Sequence, residues 1–287
     1  MLDKIIPLKI QYFFELIRFS NPTGFMLLMW PCWFALTLVP LNLNQLFKWY
    51  VLFFIGAFLM RSAGCIINDL IDINIDRNIL RTTNRPLPSN KITKKEAIIF
   101  LFLILFLSFL ILLQFNLFSI LVGIISLPLV ILYPFMKRYT HWPQLVLGVV
   151  FSWGIIIVSF QFLNTFNLDF IILYLGCIFW TLAYDTIYAY QDRQEDIANG
   201  IKSTAVLLGD NGLKYVKIFY LIFFSIIAYL SWKTSNNIYS LIIVILFLFV
   251  MNITLNNWKI KSIKSANYYF KLNNLIGLCC FLYLLIL

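Results

Sequence analysis

The 287-residue sequence is 62% apolar and only 12% charged, against about 45–50% and about 25% in ordinary soluble domains, which excludes a soluble globule. Its 22 Lys and Arg outweigh 12 Asp and Glu for a net charge of +10, yet the cations sit in short segments between long apolar runs, the pattern of membrane-surface charge and not of a nucleic-acid face. Five cysteines in or beside apolar stretches, with no C-x-x-C spacing, argue against a disulfide frame or zinc site, and the single histidine, His141, excludes a multi-histidine metal centre.

Taken in chain order, residues 1–21 carry Asp3, Lys4, Lys9, Glu15 and Arg18 before any long apolar run, which predicts an interfacial helix instead of a cleaved signal peptide. A hydrocarbon layer about 30 Å thick takes about 20 apolar residues per helix. Nine stretches fit that template: 23–41, 49–67, 97–114, 117–135, 142–162, 168–190, 215–232, 238–255 and 268–287, the last diluted by Lys271, Asn273 and Asn274. Only Phe115 and Asn116 separate the third from the fourth, which predicts a tight helical hairpin. The expectation is one all-α, multi-pass membrane domain over 1–287, with about nine helices around a central cavity under a cytoplasmic cap.

Orientation follows from the cations. Nineteen of the 22 Lys and Arg fall in the N-terminal segment or in and just beyond the loops after the second, fourth, sixth and eighth stretches; Lys48 and Lys233 lie at the opposite end, and Arg61 lies within the second stretch. The positive-inside rule puts the crowded end in the cytoplasm. An unpaired charge at the depth of Arg61 is expensive, so it is expected to face the bundle beside an acidic group or a diphosphate.

The acidic residues concentrate further: Asp69, Asp72, Asp76, Asp185, Asp192, Glu195 and Asp196 are seven of the twelve. Asn68, Asp72 and Asp76 are spaced i, i+4, i+8, one stripe if the second helix continues past the membrane. Asp185, Asp192 and Asp196, spaced by seven and four, make a comparable stripe at the end of the sixth helix, and the recurrence suggests an internal duplication. Like charges one turn apart repel unless a cation neutralises them. Mg²⁺ prefers oxygen ligands and is commonly held by one or two carboxylates plus substrate phosphate oxygens. Two facing stripes could therefore grip a diphosphate through Mg²⁺, with Arg138, Lys202 and Arg77 as candidate direct partners. Asp72, Asn74 and Asp76 also match the start of an EF-hand loop, but Arg77 and Thr83 stand where such a loop needs Gly and Glu.

The segment Asn68 to Asp76 fits the N-D-x-x-D-x-x-x-D signature of the UbiA superfamily of intramembrane aromatic prenyltransferases, and Asp192 to Asp196 fits its second D-x-x-x-D. The stretches 18–24 (RFSNPTG), 84–88 (NRPLP), 133–138 (YPFMKR) with Trp142-Pro-Gln144, 184–188 (YDTIY) and 200–204 (GIKST) look like its 4-hydroxybenzoate polyprenyltransferase branch. The resemblance implies Mg²⁺-dependent transfer of a polyprenyl group from its diphosphate to the ring carbon of 4-hydroxybenzoate ortho to the hydroxyl, in ubiquinone biosynthesis at a bacterial inner membrane. It implies Asn68, Asp72, Asp76, Asp192 and Asp196 as metal ligands, Arg138 and Lys202 on the leaving group, Arg18 with Asn21 on the acceptor carboxylate, and Asp185 or Asp192 at the phenol. Naphthoate, homogentisate or haem as acceptor, or a divalent-cation transporter, are the alternatives. A lipid-like tail further predicts a cavity that opens sideways into the bilayer.

Overall fold

The computed structural model describes residues 7–79 and 81–287, and these fold into helices and turns without a strand; Asp3 and Lys4 lie outside the described residues. The helices are α1 (Leu8–Leu16), α2 (Thr23–Thr37), α3 (Leu43–Asp76), α4 (Lys94–Leu112), α5 (Leu117–Tyr139), α6 (Pro143–Ser152), α7 (Gly154–Leu163), α8 (Leu168–Ala189), α9 (Arg193–Ala198), α10 (Thr204–Leu208), α11 (Gly212–Ser235), α12 (Ile238–Asn256) and α13 (Ile263–Ile286). Among the described residues eight helical segments are long and apolar enough to cross a membrane, with α6 and α7 counted together and α10 running into α11. The first expected span is shorter than its apolar run: α2 stops after 15 residues.

Local chemistry sets the starts. Asn42 and Gln45 form a reciprocal capping box at α3, Thr93 and Glu96 another at α4, and Asn116 caps α5 by accepting from the Ser119 amide. At 1.5 Å per residue the 34 residues of α3 rise about 50 Å, well beyond a hydrocarbon layer about 30 Å thick. Its last turns, Asn68 to Asp76, therefore project from the basic end as a continuous helix, which excludes a calcium-binding loop there.

The core is organised around α8, which packs against α6, α11 and α13. Trp180 and Tyr184 are fully buried on it; Trp180 stacks on Phe223 at 5.2 Å. Asn273, which weakened the last span as a hydrophobic segment, is the polar hub of this core: its Oδ1 accepts from Trp180 Nε1 and from Tyr220 Oη, both at 2.8 Å. A buried amide with satisfied bonds costs little, so α13 runs through it for 24 residues. At the end opposite the basic loops Lys233 donates to Asp169 at 2.6 Å.

Two features depart from the expected pattern. The stretch 142–162 is broken at Trp153 into α6 and α7; a Cβ at Gly154 would fall on Cys32 Sγ, so glycine lets α2 and α7 meet at the break. The expected hairpin of α4 and α5 is closed only at its connection. From there the helices diverge, α4 packing on α3 and α5 on α6 and α7.

At the basic end the N-terminal segment is tied down electrostatically. Lys9 pairs with Glu96, and Arg18, whose backbone is left-handed at φ 59°, donates from Nη2 to both carboxylate oxygens of Asp69 at 2.7 and 2.8 Å. Asp69 is 0% exposed and accepts a further bond from Arg85 at 3.2 Å, while Arg85 reaches Asp76 at 3.0 Å. Breaking a buried ion pair from one side leaves uncompensated charge, a loss of about 3–5 kcal/mol. Asp69→Asn is therefore expected to lower the thermal midpoint of the detergent-solubilised protein by several degrees; an unchanged midpoint would show the clamp to be dispensable.

Candidate active site

A cavity of about 580 Å³ opens at the basic end of the bundle. Its mouth is polar: Asn68, Asp72 and Asp76 from α3, Arg81 and Arg85 from the loop 77–93, Lys137 from α5, and Asp185, Tyr188, Asp192, Asp196 and Lys202 from α8 to the start of α10. Deeper walls are apolar, with Phe53, Ala57, Phe115, Val150 and Phe151. Phe109 of α4 and Ile124 and Leu127 of α5 line the cavity and are also exposed on the outer surface. The cavity thus reaches between the diverging helices toward the face that lipid would cover.

The first acidic stripe lies as its spacing predicts, on one face of the α3 extension. The second does not continue a helix: α8 ends at Ala189, and Asp192 begins the separate short helix α9 that carries Asp196. The break does not scatter them, since all three line the same cavity as the first stripe.

Cations balance these carboxylates. Lys137 pairs with Asp72, and Arg138 stands 3.7 Å from its other oxygen. Arg81 grips Asp192 through two bonds of 2.8 and 2.5 Å and donates to Tyr188 Oη at 3.1 Å. Asp196 accepts from Ser203 Oγ at 3.2 Å. Of the cations expected from sequence, Arg138 touches Asp72 from outside the cavity lining, and Lys202 lines the cavity while its Nζ donates to the Tyr139 carbonyl at 3.1 Å. Arg77 turns away. One residue past Asp76 on a helix is rotated about 100° from the stripe, and its guanidinium binds the Pro88 carbonyl and Asn90 at 3.2 and 3.0 Å. Arg18 and Asn21 line the cavity, but the Arg18 guanidinium is committed to Asp69.

Arg81, Arg85, Lys137 and Tyr188 are site residues to which sequence reasoning gave no role. A signal existed for two of them: Arg81 and Arg85 are four apart and directly follow the acidic stripe, where charge balance demands cations. Arg61 stands apart. It is half-buried in the cavity, its guanidinium 5.8 Å from the centre of the Phe151 ring. Asp185 is close enough to interact with it electrostatically, yet Arg61 has no ion pair within 4 Å and no hydrogen bond to a described residue.

The donor set fits a hard divalent cation, because every candidate ligand is an oxygen. Asp72 Oδ1 is buried without a hydrogen bond, and the Asn68 side chain makes none to a described residue. Among the described residues no three acidic, His or Cys side chains gather closely enough to enclose an ion by themselves. Burial, and then the neighbouring Asp192 charge, push the Asp196 carboxyl up to about 6, against the pull of the Ser203 hydroxyl, Lys137 and Arg81.

Fold and cavity together define a polytopic membrane protein with an acid-rimmed, lipid-reaching chamber. The chain belongs to the UbiA prenyltransferase family, whose model matches residues 28–275. It is 38% identical over 272 residues to the 4-hydroxybenzoate octaprenyltransferase of Blochmanniella pennsylvanica, covering 93% of this chain and 92% of that one. It is 37% identical over 279 residues to the enzyme of that name from Salmonella paratyphi C, with 96% and 94% covered. In fold it matches the apo structure of a UbiA homologue from Aeropyrum pernix (TM-score 0.72, 20% identity, 92% of this chain and 97% of that one). It also matches a UbiA homologue from Archaeoglobus fulgidus bound to GPP and Mg²⁺ (TM-score 0.68, 16% identity, 96% and 100%).

A carboxyl that titrates higher in the folded chain than unfolded costs stability once it ionises. Asp196→Asn is expected to raise the melting temperature of the ligand-free protein at pH 7.5, with a gain that shrinks as the pH falls below about 6. A melting curve unchanged at pH 7.5 would contradict this.

Proposed function

We propose that this protein is a 4-hydroxybenzoate polyprenyltransferase of ubiquinone biosynthesis, working with Mg²⁺ from the cytoplasmic side of a bacterial inner membrane. The observation that carries the reading is the meeting, in one cavity, of two carboxylate sets, the cations paired with them, and an apolar extension between α4 and α5. The names of the full-length relatives support the acceptor, and the crowding of cations at one end supports the orientation.

Asn68, Asp72 and Asp76 on one side and Asp192 and Asp196 on the other would hold the metal, which would neutralise charge on the diphosphate as the allylic carbon–oxygen bond ionises. Lys137 and Arg81, poised on Asp72 and Asp192, face the space that diphosphate oxygens would fill, with Lys202 and Arg138 at the rim. The isoprenoid tail would run between α4 and α5. The aromatic and aliphatic walls keep water from the allylic cation until the ring attacks it.

The acceptor carboxylate is better served by Arg61 than by Arg18. Arg18 is spent on Asp69, whereas Arg61, inside the cavity, has no ion pair within 4 Å and no hydrogen bond to a described residue. It lies seven residues before Asn68, about 10 Å along α3, room for one aromatic ring between it and the acidic stripe. Asp185, near Arg61, or Asp192 would orient or deprotonate the phenol. Among the described residues the acid at the far end of the bundle, Asp169, is paired with Lys233, which disfavours the transporter alternative.

Membranes containing the protein, given labelled 4-hydroxybenzoate and a polyprenyl diphosphate, are expected to form lipid-soluble label with Mg²⁺ and none with a chelator. Asp72→Asn and Asp192→Asn should insert normally and lose at least about a hundredfold in rate; near-normal turnover in either would refute the metal role. Arg61→Ala should raise the KM for 4-hydroxybenzoate and leave that for the prenyl diphosphate in place.

A further inference from the structure

Gly24 occupies the first turn of α2, where glycine has no conformational excuse. Its φ is not among the positive values of the chain, and in a helix glycine is about 1 kcal/mol less favourable than alanine. The reason for it is space. A Cβ built on Gly24 would stand 2.6 Å from Arg61 Nε, 3.1 Å from Nη2 and 3.3 Å from Cζ, inside the roughly 3.5–4.0 Å at which such atoms pack. The Arg61 guanidinium therefore lies against bare α2 backbone on one side, with the Phe151 ring of α6 within 5.8 Å.

We infer that Gly24 is a positioning residue: the slot it leaves in α2 fixes the direction in which Arg61 presents its guanidinium, and so the place at which the acceptor carboxylate is held. This rests on the reading of Arg61 as the acceptor's anchor. The atoms that an added methyl would meet are the far end of a flexible side chain and not backbone. Gly24→Ala is thus expected to displace Arg61 while leaving α2 and α3 packed, a perturbation of substrate geometry and not of the fold. The nearest atoms an added methyl would meet all belong to Arg61, and none to Asn68, Asp72, Asp76, Asp192 or Asp196, so the diphosphate side should not register the change.

The test is a double-mutant cycle on the full chain in membranes, with 4-hydroxybenzoate varied at saturating prenyl diphosphate and then the reverse. Gly24→Ala is expected to raise the KM for 4-hydroxybenzoate by about ten- to a hundredfold, the scale of a 1 Å misplacement, with the KM for the prenyl diphosphate unmoved. In an Arg61→Ala background the same change should cost nothing more, because the side chain through which it acts is gone. An additive loss in that background, or a Gly24→Ala enzyme with unaltered acceptor KM while Arg61→Ala is impaired, overturns the inference alone. An Arg61→Ala enzyme with unaltered acceptor KM overturns the acceptor reading and the inference with it. If Gly24→Ala fails to insert, the Gly24→Ala/Arg61→Ala protein decides: recovery of insertion supports the slot, and continued failure refutes it.

Discussion

Carboxylates buried at the edge of a low-dielectric bundle must find cations, and this necessity shapes the whole basic end of the molecule. Asp69 takes two arginines, Asp72 a lysine, Asp76 Arg85 and Asp192 Arg81. The partners come from the turn after α1, the loop 77–93 and α5, so satisfying the acids draws these segments into a ring around one opening. Such pairs pay for desolvation with mutual attraction and return little net stability. Their value lies in arranging charge: an anionic ligand entering with a divalent ion would meet cations already in place and carboxylates already aimed.

The roles within this ring are unequal. Asp69 has no exposed surface and three hydrogen bonds from two guanidinium groups; it is a structural anchor that fixes the end of α1 over the opening. Asp72, one turn further along α3 on the cavity side, keeps a buried oxygen without a donor. Adjacent positions on one helix thus divide the work, one acid closing the frame and the next left partly unsatisfied for a ligand.

Much of this was legible in the chain. Apolar runs give the spans because lipid imposes length and hydropathy directly, and the four-residue spacing of Asn68, Asp72 and Asp76 gives the stripe because α3 stays helical to Asp76. What escaped is three-dimensional partner choice. Arg81 and Asp192 are 111 residues apart, so even though its place after the acidic stripe marks Arg81 as a balancing cation, nothing local says which carboxylate it binds. The same holds for Arg18, whose nomination as a substrate anchor ignored the carboxylate at Asp69. The divergence of α4 and α5 escaped because a short connection fixes only where two helices begin, while the neighbours they pack against fix where they go. Asn273 misled in the other direction: a polar residue that dilutes a span by hydropathy strengthens it when Trp180 and Tyr220 supply its bonds.

The two acidic sets also differ in how they are held, and Lys137 relates them. The first set rides on a continuous helix and keeps helical spacing without help. The second follows a turn that interrupts the helix after α8 and needs an external reference: Ser203 binds Asp196, the Thr204 amide donates to Gln144 at 3.0 Å, and the Lys202 amide donates to the Lys137 carbonyl at 2.9 Å. Lys137 meanwhile pairs its ammonium with Asp72. One residue at the end of α5 therefore touches the first set through its side chain and the segment following the second through its backbone. The distance across the mouth is in this way set by the α5–α6 corner, which explains how a loop and a helix end, remote in sequence, can form a single site.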